Sequence, residues 1–284
     1  MISISTVRKA EIRLHYDLAT PFYWLLWGRH LHHGYWDANE TVEVATQRLT
    51  DELVARAQLQ PGHEVLDIGC GMGGSSISLA LGQQCRVTGV TLSPLQRAWA
   101  TASARWRGAS DRVRFLRADA EEVEFPPESF DRLWSIECTE HLFDKPRFFQ
   151  RAAQWLRPGG RFVLCAWLAG EPPLTDPQRI LVETVCDRFL CPSFGTMSDY
   201  AHWLTSAGLV VEETSDWTPK VDRTWELCVD RVRSSGVRGL TRVLHNQTDQ
   251  FVAHFQTLLD AYRTGAMSYG CLVARKPAAA EGRS

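Results

Sequence analysis

Along the chain the apolar positions change rhythm twice. Residues 41–58 (TVEVATQRLTDELVARAQ) place Val44, Leu49, Leu53, Val54 and Ala57 near a 3.6-residue period, which predicts an amphipathic helix. Upstream, Phe22 to Trp27 is dense in aromatic and apolar side chains, while His30 to Trp36 is interrupted by Gly34 and cannot be one clean helix. From residue 61 short apolar runs alternate with helical stretches, the signature of a parallel sheet with crossover helices. The runs are Glu64–Ile68, Cys85–Thr91, Val113–Arg117, Phe130–Ile136 and Arg161–Trp167. Helices are expected over 74–82, 93–107, a stub at 121–124, and 145–156, the last stopped by Pro158-Gly159-Gly160. Near 170 the rhythm breaks again. Gly170-Glu171-Pro172-Pro173 opens a largely helical stretch, 207–217 reads as a sixth strand, 221–263 as one or two helices, and 269–275 as a last strand.

The pattern predicts a single α/β domain: a Rossmann-like, seven-stranded, mostly parallel sheet with an N-terminal helical cap and a helical lid. Residues 1–60 form the expected cap and 61–170 the ligand-binding core. Residues 171–277 supply the lid and remaining core strands, and 278–284 a flexible tail. A hydrophobic content of 44% and a charged content of 23% suit a chain that buries a real core. The net charge of −2 gives no field for polyanions, so nucleic acid is not an expected partner. Eight Cys occur without any C-x-x-C pair, which argues against a zinc ribbon or a thioredoxin-like site and fits a reducing cytosol. The N-terminus lacks the apolar core of a signal peptide, and the longest apolar stretch, Phe162 to Ala169, is far short of the ~18–20 residues that span a bilayer. The expectation is a cytoplasmic protein without stable membrane insertion, with homo-oligomer formation left open.

Gly69-Cys70-Gly71-Met72-Gly73-Gly74 follows the first core strand and opens a helix, so backbone amides can approach a ligand closely. Alone it is the G-x-G-x-x-G fingerprint, which dinucleotide-dependent oxidoreductases also carry. Two features point elsewhere. Asp67 lies just before the glycines, where its carboxylate would repel a pyrophosphate but receive the ammonium and sulfonium of S-adenosylmethionine. The next strand end reads Gly89-Val90-Thr91-Leu92-Ser93-Pro94, with no acid for an adenosine ribose, leaving that work to Thr91, Ser93 or Gln96. Asp119, after the third strand, is an acceptor placed for an adenine amino group, or a helix N-cap. Leu92, Ala120 and Ser135 complete the candidate cofactor set of Asp67, Gly69, Gly71, Thr91, Gln96 and Asp119.

VLDIGCGMGGSSISLA, GVTLSPLQRAWA, RLWSIECTEHLFDKPRFF and WLRPGGRFVLCAW are similar, in order and spacing, to class I S-adenosylmethionine-dependent methyltransferases. The chain most resembles the gamma-tocopherol methyltransferase group. Tyr16-Asp17 through Gly34-Tyr35 resembles that group's N-terminal segment, and Cys186-Asp187, Ser198-Asp199-Tyr200 and Asp216-Trp217 its lid. The resemblance implies methyl transfer to a small, largely apolar acceptor of natural-product, prenyl-quinol, alkaloid or isoprenoid type, with S-adenosylhomocysteine as product.

Methyl transfer to a neutral acceptor needs alignment, exclusion of water and a base. His141 is the first candidate base, because imidazole titrates near neutrality. Glu140 is a candidate to orient His141, to steady a cationic species or to act as base itself. Tyr16, Trp27, His33, Trp36, Glu137 and Trp167 are candidate acceptor-side residues. His30, His32 and His33 lack further carboxylates nearby in sequence, so no metal is expected. Arg231, Arg233, Arg238 and Arg242 read as a solvated face or as a recognition site for an acceptor diphosphate. The alternatives to methyl transfer are a nicotinamide-dependent oxidoreductase and a cofactor-binding protein without catalysis.

Overall fold

Strand and helix alternate because the core segments switch between runs buried on both faces and helices capped at their first turn. The strands are β1 (Ile2–Ser3), β2 (Glu64–Ile68), β3 (Arg86–Thr91), β4 (Val113–Arg117), β5 (Phe130–Ile136), β6 (Leu156–Ala169), β7 (Ser193–Phe194), β8 (Val210–Asp216) and β9 (Met267–Arg275). The helices are α1 (Lys9–Trp27), α2 (Val42–Ala57), α3 (Gly74–Gly82), α4 (Pro94–Trp106), α5 (Lys145–Trp155), α6 (Asp176–Arg188), α7 (Met197–Ser206), α8 (Thr218–Val221), α9 (Arg223–Ser234) and α10 (Phe255–Arg263). This computed structural model describes residues 1–234 and 251–278, apart from the side chains of residues 21–23 and 25–27.

Seven strands form one sheet in the order β4-β3-β2-β5-β6-β9-β8. The pairs from β4 to β6 are parallel, and β9 runs antiparallel between β6 and β8. The strand order reverses between β2 and β5, which opens a crevice at their carboxyl ends, the place where open α/β sheets bind ligands. Register brings Asp67 beside Gly89 and Trp134, one residue before that crevice. The small pair β1–β7 ties the N-terminus to the segment after α6.

Local chemistry explains the boundaries. Ser93 caps α4 by accepting from the Gln96 amide at 3.0 Å, with Pro94 in the first turn. Thr175 with Gln178 and Thr196 with Asp199 form capping boxes for α6 and α7. On one side of the sheet Leu49 and Leu53 of α2 pack in a core with Trp134, Cys165 and Tyr269. On the other, Phe148 and Phe149 pack with Phe162, Tyr200 and Trp203. All eight thiols are free. Among the described residues no helix is long and apolar enough to cross a membrane.

Three expectations need correction. Pro158-Gly159-Gly160 does not stop a helix: α5 ends at Trp155 and β6 begins at Leu156, which turns extended (φ −72°, ψ 137°) to pair with Phe130. The expected stub at 121–124 is a turn, in which the Glu122 and Val123 amides both bond the Asp119 carbonyl before an extended run into Pro126. Residues 1–60 are not uniformly helical, since they include β1 and an irregular stretch between Gly28 and Thr41.

Arg132 joins α2 to the sheet. Its buried guanidinium donates to the carbonyls of Ala57 (2.5 Å) and Gln58 (2.7 Å), which the end of α2 leaves without helical partners. Arg132→Met strips both carbonyls of a charged donor and is expected to cost about 2 kcal/mol of stability. A lower midpoint in denaturant with unchanged ligand affinity would show this, and an unchanged midpoint would contradict it.

Candidate active site

A cavity at the carboxyl ends of the parallel strands, roofed by α1 and the segment from Arg29 to His33, brings together most of the candidate residues. At one end lie Asp67, Gly69, Gly71, Thr91, Leu92, Gln96, Asp119 and Ala120; at the other lie Tyr16, His33, Glu137, Glu140, His141 and Trp167. Two candidates lie outside its lining. Ser135 is buried within the sheet and donates to the Ile68 carbonyl at 3.2 Å. Trp36 is buried too, its indole donating to Thr224 Oγ1 at 2.9 Å, so it braces the cap against α9. Trp27 ends α1, and its side chain is outside the described residues. Arg231 and Arg233 sit on α9 and do not line the cavity, and Arg238 and Arg242 fall outside the described residues.

At the first end, the backbone after β2 turns sharply. Gly69 has φ +77°, and a Cβ there would lie 2.3 Å from Cys138 Cβ, so any side chain collides with the loop after β5. A Cβ at Gly74 would meet the Arg29 carbonyl at 2.4 Å, which shows how closely the roof lies on the start of α3. Gly71 is roomier, with Leu31 Cδ1 as its nearest neighbour at 3.6 Å. Asp67 is buried and accepts from Ser76 Oγ at 2.5 Å; burial raises its pKa to about 7 despite that bond. Thr91 Oγ1 donates to Gln96 Oε1 at 2.8 Å, and the buried Gln96 Nε2 has no partner within the protein. Ser93 is already committed to Asp17 Oδ1 and to its capping bond. Of the three groups considered for the ribose, Gln96 therefore keeps the open donor. Asp119 Oδ1 accepts from the Glu121 amide at 2.9 Å, and its Oδ2 meets Lys9 Nζ at 2.6 Å. A buried carboxyl with a raised pKa, an orphaned amide donor and a turn whose Gly69 and Gly74 leave no room for a side chain suit a ligand that is cationic at one end and polar at the other. S-Adenosylmethionine has that shape of charge.

At the other end, His141 sits in a short turn after β5 and is held from both sides. Its Nδ1 is 3.0 Å from the Leu190 carbonyl, an acceptor only, so Nδ1 carries the proton. Nε2 then accepts from Tyr16 Oη at 2.8 Å. Burial lowers the His141 pKa to about 4, so the ring is neutral through the ordinary pH range. Glu140 does not orient it. Glu140 Oε1 accepts from the Trp167 amide at 2.6 Å, its Oε2 has no partner, and burial raises its pKa to about 8. Glu137 has φ +52°, unusual for a residue with a side chain, and burial alone would raise its pKa. His33 outweighs that, through ring and amide bonds of 2.9 and 2.8 Å, and with a 2.8 Å bond from Tyr269 keeps the Glu137 carboxylate ionised. His33 in turn accepts from Trp225 Nε1 at 2.5 Å. His30 and His32 face each other at 3.2 Å, and burial lowers the pKa of both. Among the described residues no three His, Cys, Asp or Glu side chains are grouped to hold a metal ion.

Several site residues were not read from the sequence. Phe189, Cys191, Trp225 and Phe251 complete the apolar wall, and Lys9 joins from the first turn of α1. Lys145 is buried with its ammonium on Glu140, Leu142 and Ser193 oxygens at 2.8–3.4 Å, so it fixes the loop that carries Glu140 and His141. A lysine at the first position of an amphipathic helix has no sequence mark of this role.

Comparison with known proteins places these features. The family described as mycolic acid cyclopropane synthetase matches residues 4–269. A probable chloroplastic tocopherol O-methyltransferase of Oryza sativa subsp. japonica is 32% identical over 281 residues, covering 92% of this chain and 76% of its own. A 27-O-demethylrifamycin SV methyltransferase of Amycolatopsis mediterranei is 33% identical, covering 94% and 97%. The cyclopropane synthase MmaA2 of Mycobacterium tuberculosis superimposes with a TM-score of 0.84 at 21% identity, covering 96% and 100%. These matches make the chain a member of an S-adenosylmethionine-dependent methyltransferase family and set aside the nicotinamide reading.

If Asp67 must ionise to receive a cation, S-adenosylhomocysteine affinity should be flat above pH 7 and fall about tenfold per unit as pH drops below it. Titration calorimetry from pH 5.5 to 8.5 checks this, and Asp67→Asn should bind weakly with no pH dependence in that range. A wild-type affinity that does not change across the range would remove Asp67 from this role.

Proposed function

The chain belongs to the mycolic acid cyclopropane synthetase family of S-adenosylmethionine-dependent methyltransferases, and we propose that it methylates a hydroxyl on an apolar, natural-product or prenyl-quinol type acceptor. The observation that carries the reading is the half-buried Tyr16–His141 pair, with a neutral imidazole whose tautomer is fixed by the Leu190 carbonyl. S-Adenosylmethionine supplies an electrophilic methyl group on a sulfonium. The residues need only align the acceptor, exclude water and take one proton. As the acceptor oxygen attacks, Tyr16 Oη accepts the acceptor's hydroxyl proton and passes its own to His141 Nε2. The imidazolium that results keeps its Nδ1 bond to Leu190 and returns the proton to solvent when the site opens.

The wall supports the apolar part. Trp167, Phe189, Trp225 and Phe251 offer flat surface. Glu140, with its raised pKa, is a neutral acid at pH 7 and presents a hydrogen-bond donor rather than a charge. The two cations of the lining, Lys9 and Arg29, are both paired with carboxylates, so among the described residues a diphosphate finds no free counter-charge. The relatives named for tocopherol O-methylation and for a 27-O-demethylated rifamycin favour an oxygen as the reacting atom.

His141→Ala should lower turnover on a phenolic acceptor by roughly 10²–10⁴-fold, with S-adenosylhomocysteine affinity nearly unchanged. Tyr16→Phe should lose part of the same factor. Both losses should shrink with an acceptor already ionised at the assay pH. The wild-type rate should not fall near pH 6.5 but only as pH approaches 4, because burial holds the imidazole neutral above that. Full turnover in both variants, or an acid limb centred near 6.5, would count against the pair as the base.

A further inference from the structure

One face of α1 carries three polar side chains, and each bonds a loop at a different strand end. Lys9 Nζ lies 2.6 Å from Asp119 Oδ2 and 2.9 Å from Glu121 Oε2, after β4. Asp17 accepts from Ser93 Oγ at 2.5 Å, after β3. Tyr16 bonds His141, after β5. Spacings of seven and eight residues put all three on one side of a helix, and Ile12 and His15 between them also line the cavity. Glu121 extends the connection: its other oxygen accepts from the amides of Phe143 (2.9 Å) and Asp144 (2.7 Å), just beyond His141. Lys9 thus meets, through two adjacent carboxylates, both the strand end expected to receive adenosine and the loop that carries the base.

We propose that Lys9 is a positioning residue that couples occupancy of the cofactor end to assembly of the Tyr16–His141 pair. This rests on the reading of that pair given above and names what brings it together. α1 lines one wall of the cavity, and the neutral Tyr16–His141 bond even with the Asp17–Ser93 bond is a small force for seating a helix of 19 residues. The Lys9 bridge is suited to reseat them. Its partners are 21% and 10% exposed and Lys9 is 36% exposed, so it opens to water when α1 lifts and reforms when the loop after β4 is ordered. A ligand held at Asp119 orders that loop. Lys9 then seats the first turn of α1, and Tyr16, two turns on, reaches His141.

Hydrogen exchange of the whole chain, with and without S-adenosylhomocysteine, tests this in the wild type, Lys9→Met and Lys9→Arg. In the wild type the ligand should slow exchange both at 64–74 and at 10–20. Lys9→Met should keep the protection at 64–74 but lose at least about fivefold of that at 10–20, and Lys9→Arg should restore it. Single-turnover methyl transfer by Lys9→Met should fall about tenfold, with ligand affinity within about threefold of wild type. Undiminished protection at 10–20 in Lys9→Met overturns the proposal. So does loss at 64–74, which would mean that Lys9 supports the cofactor site itself. The exchange readout needs no acceptor, so it stands even if His141→Ala and Tyr16→Phe retain full turnover and the base reading fails.

Discussion

The hydrogen bond from Tyr16 to His141 joins the N-terminal cap to the loop after β5 across 125 positions of sequence, and it lies half-buried in a cavity wall where side chains lose much of their water. Desolvation acts on every titratable group around it in the direction of neutrality. It lowers His141 to about 4 and raises Glu140 to about 8 and Asp67 to about 7. An imidazole that stays unprotonated, an acid that keeps its proton and a carboxyl that titrates near neutrality are one physical effect seen at three positions. Such a lining is poorly suited to hold a further anion and is consistent with the apolar acceptor proposed above.

Glu137 is the exception, and it shows what an ionised group in this site requires. Three donors, from the His33 amide, the His33 ring and Tyr269, converge on its Oε1. The same bonds hold its backbone in the left-handed region and tie the ends of β5 and β9 to the cap. Lys145 does the complementary work on the other side of the loop, with carbonyl and hydroxyl oxygens around its ammonium. Between them the turn carrying Glu140 and His141 has little freedom, as alignment of a displacement reaction demands.

The sheet was largely legible in the sequence because its strands are short runs rich in apolar residues, some alternating with polar ones, between turn-forming stretches. Glu64–Ile68, Val113–Arg117 and Phe130–Ile136 fall where periodicity puts them. The cofactor end was legible for a related reason, since Asp67, Thr91 and Asp119 stand at strand ends and need no knowledge of packing. Boundaries were missed where tertiary pairing overrides local signals, as at Leu156, which pairs with Phe130 instead of continuing α5. The acceptor end was only half legible. His141 and Glu140 stand in a turn that draws attention, whereas Trp225 and Phe251 come from helices whose inward face is set by the fold. Trp36 was misplaced because an aromatic near a glycine turn reads the same whether it faces a ligand or, as here, Thr224.

Central to the cavity is His141, a half-buried, neutral imidazole whose Nε2 lone pair faces Tyr16. Nitrogen-15 resonance of the ring, followed from pH 8 to pH 4.5 in the folded protein, reads it directly. The account predicts a protonated Nδ1 and an unprotonated Nε2 throughout, with titration beginning only near the bottom of the range, and a shift of the Nε2 signal in Tyr16→Phe. A ring that becomes imidazolium near pH 6.5, or that carries its proton on Nε2, would contradict it.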